Sequence, residues 1–334
     1  MKSLKTALKK AVVVLADRFF LLRPLVTVPA ATFFLLGYAE AVLQGGDAWP
    51  GRVRALLSAR DSWPGHQGPV HPWLGVVSYA LLMASVYVVN QVYDAESDSA
   101  NDKLFLIPRG IVSRREAWGV AAALLALGLA GGARCGQTTV LLFALSFVLG
   151  MAYSVPPLAL KRLFPLDLLA NAVGYGTVAF LTGWSLASTP GLNAVARSAP
   201  LALCVGGVFT LTAVHDRMGD RRSGFRTTGV TLGVERGPLL ALVLLAAAVP
   251  LSLLTSNRLV LVAAAVSLPL FAYACAKRTE RAVKVAYRAS SSVFVLMSGL
   301  AFPGFLLAVL VLMGLARLYY SMRFALNYPT LTGR

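Results

Sequence analysis

Charge is what this chain has least of. Only 13% of its 334 residues are charged, against about 25% in an ordinary soluble domain, while 57% are hydrophobic and the mean hydropathy is +0.70. That composition excludes a soluble globular domain. Cysteine is scarce too: Cys135, Cys204 and Cys275 stand far apart without motif spacing, so neither a disulfide framework nor a zinc site is expected. Each reads as a small apolar residue within a helix. A secretory leader is not expected either. The apolar run 11–16 is short, Asp17-Arg18 interrupts it, and no small-residue cleavage site follows. Within residues 1–23, Lys2, Lys5, Lys9 and Lys10 alternate with Leu4, Leu8 and Val12, the pattern of an amphipathic helix at a membrane interface.

What the chain has instead is a series of apolar runs. Nine membrane spans are expected, at about 24–43, 73–93, 117–133, 138–155, 166–187, 199–215, 237–255, 258–276 and 294–316. The fold class is therefore an all-α polytopic membrane protein, one transmembrane domain over residues 1–334. The long connector 44–72, with Gly45-Gly46, Pro50-Gly51, Pro64-Gly65 and Pro72, carries no obvious chemistry. The net charge of +17 does not indicate nucleic acid. With the N-terminus in the cytosol, 22 of the 31 Lys and Arg fall on the cytosolic side, as the positive-inside rule demands. Nine spans then put the C-terminus outside. The expected location is the bacterial cell membrane.

The few acids cluster. Asn90-Gln91-Val92-Tyr93-Asp94-Ala95-Glu96-Ser97-Asp98 follows the apolar run 73–89 directly. On a helix Asn90, Asp94 and Asp98 lie on one face, drifting only about 40° per step. A similar device, His215-Asp216-Arg217-Met218-Gly219-Asp220, ends the sixth run. Carboxylates at membrane helix ends are expensive and usually functional. Two such clusters facing each other suit Mg²⁺ bridging a diphosphate, since Mg²⁺ takes one or two carboxylates plus phosphate oxygens. The alternative for the first cluster is an acidic helix cap at the interface, matched by Lys103 and Arg109. Both motifs end the second helix of a four-span set, which suggests a four-helix unit used twice with a ninth helix added.

Arg221, Arg222 and Arg226 follow the second motif in a loop rich in Gly and Thr. They either contact phosphate oxygens or form a solvated basic loop. His215 reads as a packed neighbour, because Mg²⁺ does not favour imidazole. A third stretch, Tyr153-Ser154-Val155-Pro156-Pro157-Leu158-Ala159-Leu160-Lys161-Arg162, ends the fourth run. Pro156-Pro157 stop the helix and stiffen the turn. Tyr153 and Lys161 are thereby held near the acids, or Lys161-Arg162 is only a topogenic anchor.

These three stretches together resemble the UbiA superfamily of intramembrane prenyltransferases, whose members show an Asn-Asp-x-x-Asp-x-x-x-Asp motif, a second Asp-x-x-x-Asp motif, and a Tyr and Lys between them. The Tyr-Ser-x-Pro-Pro-x-x-x-Lys-Arg form resembles the branch with chlorophyll, menaquinone and archaeal ether-lipid prenyltransferases. The resemblance implies nine helices around a central cavity, two Mg²⁺ ions, a polyprenyl diphosphate donor and an aromatic or lipid-like hydrophobic acceptor in the membrane. It implies Asn90, Asp94, Asp98, Asp216 and Asp220 as metal–diphosphate ligands. Tyr153 and Lys161 would be diphosphate contacts, with Arg162 and Arg221 beside them. Two departures stand out. Gln91 replaces the usual Asp, and Phe105-Leu106 stand where an Arg-Pro pair is usual, so that either Lys103 or Arg109 takes over phosphate binding or the pocket serves another substrate. The rival readings are a related transferase using another diphosphate, such as phosphoribosyl diphosphate, and a cation-coupled transporter, whose sites usually lie at the membrane midplane.

Overall fold

The computed structural model describes residues 2–43, 72–100, 106–326 and 328, without the side chains of 2–10 and 96–100. The connector 44–72, apart from Pro72, therefore lies outside the described residues, as do Lys103 and Phe105 and the side chain of Asp98. Among the described residues the chain is helical throughout. Its one β-type contact is an isolated bridge between Leu163 and Arg226.

The helices are α1 (Lys2–Leu21), α2 (Pro24–Leu43), α3 (Pro72–Ala100), α4 (Arg114–Arg134) and α5 (Gln137–Ser154). A short turn, Leu160–Arg162, leads into a broken helix: α6 (Leu166–Asn171), a π-helical segment (Ala172–Val178) and α7 (Ala179–Trp184). There follow α8 (Leu192–Arg222), α9 (Thr228–Leu254), α10 (Arg258–Lys277), α11 (Glu280–Ala301) and α12 (Pro303–Phe324). Eight of them, α2–α5, α8–α10 and α12, are long and apolar enough to cross a membrane. The motif-bearing helices α3 and α8 each pack most extensively on the helix that follows, α4 and α9.

Close packing in such a bundle depends on small residues. Gly37 of α2 faces the Phe180 carbonyl of α7, and Gly183 of α7 faces the Phe34 carbonyl of α2. A Cβ at either would collide with backbone. Gly229, in the first turn of α9, abuts the Ala213 carbonyl of α8. That approach brings the start of α9 against the helix that carries the second acidic motif.

The final span differs from expectation. The apolar run 294–316 is not one helix, because the chain breaks at Phe302 and restarts with Pro303, a residue suited to a first helical turn. The first half of α11 carries Glu280, Arg281, Lys284 and Arg288, so no apolar window reveals it. Tyr319 Oη of α12 donates to Asp17 Oδ1 of α1 at 2.7 Å, and Arg323 pairs with the same carboxylate at 3.1 Å. Phe20 stacks on Tyr319 at 4.0 Å. The end of α12 thus lies beside α1, on the face that holds the N-terminal helix.

Candidate active site

The three stretches meet at one end of the bundle. A cavity of about 200 Å³ is lined by Asp94 of α3, Tyr153 of α5, Lys161 of the turn, Asp167 of α6, and Asp216 and Asp220 of α8. Phe209, Ala213 and Phe225 supply apolar wall.

Asp94 has a built environment. Lys161 Nζ lies 2.6 Å from both of its oxygens. With the Asn90 amide oriented to satisfy both its ends, its nitrogen donates to Asp94 Oδ2 at 3.0 Å. Its oxygen then accepts from Ser154 Oγ at 2.8 Å and Lys161 Nζ at 3.0 Å. The pair is mostly sheltered, with 11% of the lysine side chain and 20% of the aspartate side chain exposed. Asn90, Asp94 and Lys161 thus form one charge-assisted cluster.

The loop ending in Lys161 is fixed from outside the cavity. Arg226 N donates to the Arg162 carbonyl at 2.9 Å, and Phe164 N donates to the Arg226 carbonyl at 2.7 Å. The Arg162 guanidinium sits 4.9 Å over the Phe225 ring. The Pro-Pro loop and the loop after the second motif are therefore stitched together, which keeps Lys161 and Asp220 in register. Arg162 acts in this stitching and does not line the cavity.

The second motif is braced differently. Thr227 Oγ1 donates to Asp220 Oδ2 at 2.8 Å, while Thr228 donates to Asp167 through its amide at 2.6 Å and its hydroxyl at 2.7 Å. Asp167 is fully buried, and its Oδ1 also accepts from Leu168 N at 2.9 Å. Asn171, one turn further along, donates to the Asp167 carbonyl at 2.8 Å. Asp167 was not foreseen as a site residue. Its signal was present, since it is the one acid in the apolar run 166–187, and an ionisable residue inside a span is functional by default.

Arg109 and Arg221 are exposed and do not line the cavity, and the Arg109 guanidinium lies 5.6 Å over the Phe324 ring. Gln91 points away from the site. Buried, it donates to the Leu21 carbonyl at 2.8 Å and the Tyr87 carbonyl at 3.1 Å. The residue at this departure from the usual Asp ties α3 to the end of α1. Arg217 turns outward to Glu280 at 2.8 Å.

Among the described residues, no three acids, histidines or cysteines group closely enough to cage an ion. Mg²⁺ needs no such cage, because it keeps several waters and shares its shell between a few carboxylates and phosphate oxygens. Asp94, Asp216 and Asp220 offer hard oxygens around one cavity, which fits that mode of binding.

The UbiA prenyltransferase family model matches residues 55–298. Over 187 residues the chain is 33% identical to the digeranylgeranylglyceryl phosphate synthase of Ignicoccus hospitalis, covering 54% of this chain and 60% of that protein. It is 31% identical over 172 residues to a lycopene elongase/hydratase of Halobacterium salinarum, covering 49% and 60%. The chain thus spans about three-fifths of the length of these curated relatives. A UbiA homologue from Archaeoglobus fulgidus, solved with GPP and Mg²⁺ bound, shares the fold with a TM-score of 0.64 at 23% identity, covering 86% of this chain and 99% of that one.

Proposed function

The chain belongs to the UbiA prenyltransferase family, and we propose that it transfers a prenyl group from a prenyl diphosphate to a hydrophobic acceptor of the aromatic or lipid type. The observation that supports this reading best is the meeting of Asp94, Tyr153, Lys161, Asp216 and Asp220, from three separate stretches, around one cavity at the helix ends. The site and the basic loops around it face the cytosol in this reading, in keeping with the positive-inside rule.

Asp94, Asp216 and Asp220 are the residues that would hold magnesium, as two ions, with Asn90 and Asp98 completing the first motif. Bound there, Mg²⁺ neutralises charge developing on the departing diphosphate. Lys161 adds its ammonium to that diphosphate, and Tyr153 offers a hydroxyl from the cavity wall. Both act where charge develops, the most effective place for electrostatic catalysis. The allylic carbon–oxygen bond breaks, the diphosphate takes the bonding pair, and the acceptor nucleophile bonds to the same carbon as it loses its proton. Phe209, Ala213 and Phe225 shield the reacting carbon from water.

The test is Mg²⁺-dependent diphosphate release by purified protein from a panel of prenyl diphosphates, with a lipid and quinone extract as acceptor source and mass spectrometry of products. A prenylated product from at least one donor supports the reading. Release from phosphoribosyl diphosphate alone, or ion flux in vesicles without any release, contradicts it.

A further inference from the structure

The molecule has a second cavity on the same face, of about 230 Å³, which shares no lining residue with the first. Helix α3 stands between them. Asn90 belongs to the active-site cluster, and Gln91, the next residue, lines the second cavity. Most of the second cavity's wall comes from the elbow between α1 and α2 and from the end of α12. Both lie outside residues 55–298, the part that matches the family.

Its lining is aromatic with one cation. Phe20, Tyr320, Phe324 and Tyr328 form the walls, and Arg23 sits at the elbow in the left-handed conformation, with φ 51°. Among the described residues two acids are engaged elsewhere: Asp17 holds Arg323 and Tyr319, and Glu116 holds Arg18 at 2.7 Å. Among the described residues the half-buried Arg23 guanidinium has neither a carboxylate partner nor a hydrogen-bond acceptor. The Gln91 amide nitrogen is already used on two backbone carbonyls.

We propose that this cavity binds the phosphate head of an anionic membrane lipid from the leaflet on the basic face. An unpaired arginine between spans at a basic membrane face fits an anionic head group. Tyr and Phe walls fit the interfacial depth at which such heads lie. Leu25 and Val26 continue the lining along α2, with Val26 37% exposed toward the bilayer, a path for the acyl chain. Among the lining residues a free phosphate would find one cation, Arg23, in a mostly apolar wall, whereas an amphiphile also gains from burying its apolar part. Occupancy would brace the α1–α12 contact and, through Gln91 and the Leu21 carbonyl, the motif-bearing end of α3.

Full-length protein is exchanged into vesicles of equal phosphatidylglycerol and phosphatidylcholine, extracted, and its retained lipid counted by native mass spectrometry. Wild type retains phosphatidylglycerol preferentially. Arg23→Gln lowers that enrichment roughly fivefold, the scale of one cation near a membrane surface. Arg281→Gln, which removes an exposed charge from the same face, leaves it unchanged. Tyr328→Ala, which alters one rim ring and no charge, lowers it by a smaller factor. Equal retention in wild type and Arg23→Gln, or an equal fall in Arg281→Gln, overturns the site. Inorganic phosphate alone stabilising wild type, but not Arg23→Gln, as strongly as the lipid does would overturn the lipid assignment.

Discussion

Asp94 and Asp216 each begin an Asp-x-x-x-Asp pattern at the end of a long helix, yet the structure surrounds the two motifs with different chemistry. The first carries its own cation. Lys161 reaches it from the Pro-Pro loop at 2.6 Å, with the Asn90 amide bridging both groups. The second is braced by the helix that follows it: Thr227 hydrogen-bonds Asp220, and its neighbour Thr228 is anchored on the buried Asp167. The two motifs thus share their acids and differ in their support. The difference suggests a division of labour. A lysine-coupled carboxylate answers to the arriving diphosphate, since both compete for one ammonium, whereas a hydroxyl-braced carboxylate is held in place beforehand.

The largest expected effects come from the acids. Asp94→Asn and Asp216→Asn should each lower turnover by on the order of 10²-fold or more, about 2.7 kcal/mol upward, while the protein stays folded. Steady-state diphosphate release checks this. Wild-type turnover in either variant removes that residue from the site.

Lys161→Ala comes next. It deletes a charge-assisted contact and leaves Asp94 without its ammonium, at a cost of roughly 1.5–3 kcal/mol in donor kcat/KM. Arg162→Ala should spare donor kinetics and lower Tm instead, since its cation–π contact with Phe225 is worth about 0.5–1 kcal/mol. Equal kinetic losses for the two would erase the distinction between site lysine and stitching arginine.

Asp167→Asn should act on the second motif alone. Asp167 positions Thr228 and, through the adjoining Thr227, Asp220. The expected result is a several-fold higher Mg²⁺ concentration for half-maximal rate, partly rescued in Asp167→Glu. A Tm change with an unchanged Mg²⁺ profile would leave Asp167 as a packing residue. Arg109→Ala is expected to have the smallest effect, below about twofold in donor KM, because its guanidinium lies over Phe324 and not at the cavity.

Sequence legibility followed the physics of each element. The helices of α2–α5 and α8–α10 announce themselves as apolar runs, and the three polar stretches stand out because acids are costly at helix ends. The division between α11 and α12 was not visible, because an apolar run passes straight through Phe302 and Pro303 while the charges of α11 occupy only its first half. Pro303 was the one available sign. Gln91 and Asn90 are adjacent in sequence yet serve different cavities, so what Gln91 does in place of the usual Asp became visible only through its hydrogen bonds to Leu21 and Tyr87. Asp167 was hidden for another reason. A single carboxylate acquires a role only through the partner that folding brings to it, and Thr228 is 61 residues away.

The claim that two differently supported motifs form one site is tested most directly by a double-mutant cycle on kcat/KM. Residues that act as one unit are not additive. Asp94→Asn with Asp216→Asn should therefore lose little more than either substitution alone, with Mg²⁺ dependence abolished in all three variants. Losses that multiply, with residual Mg²⁺ dependence in each single variant, would show two independent sites and contradict the account.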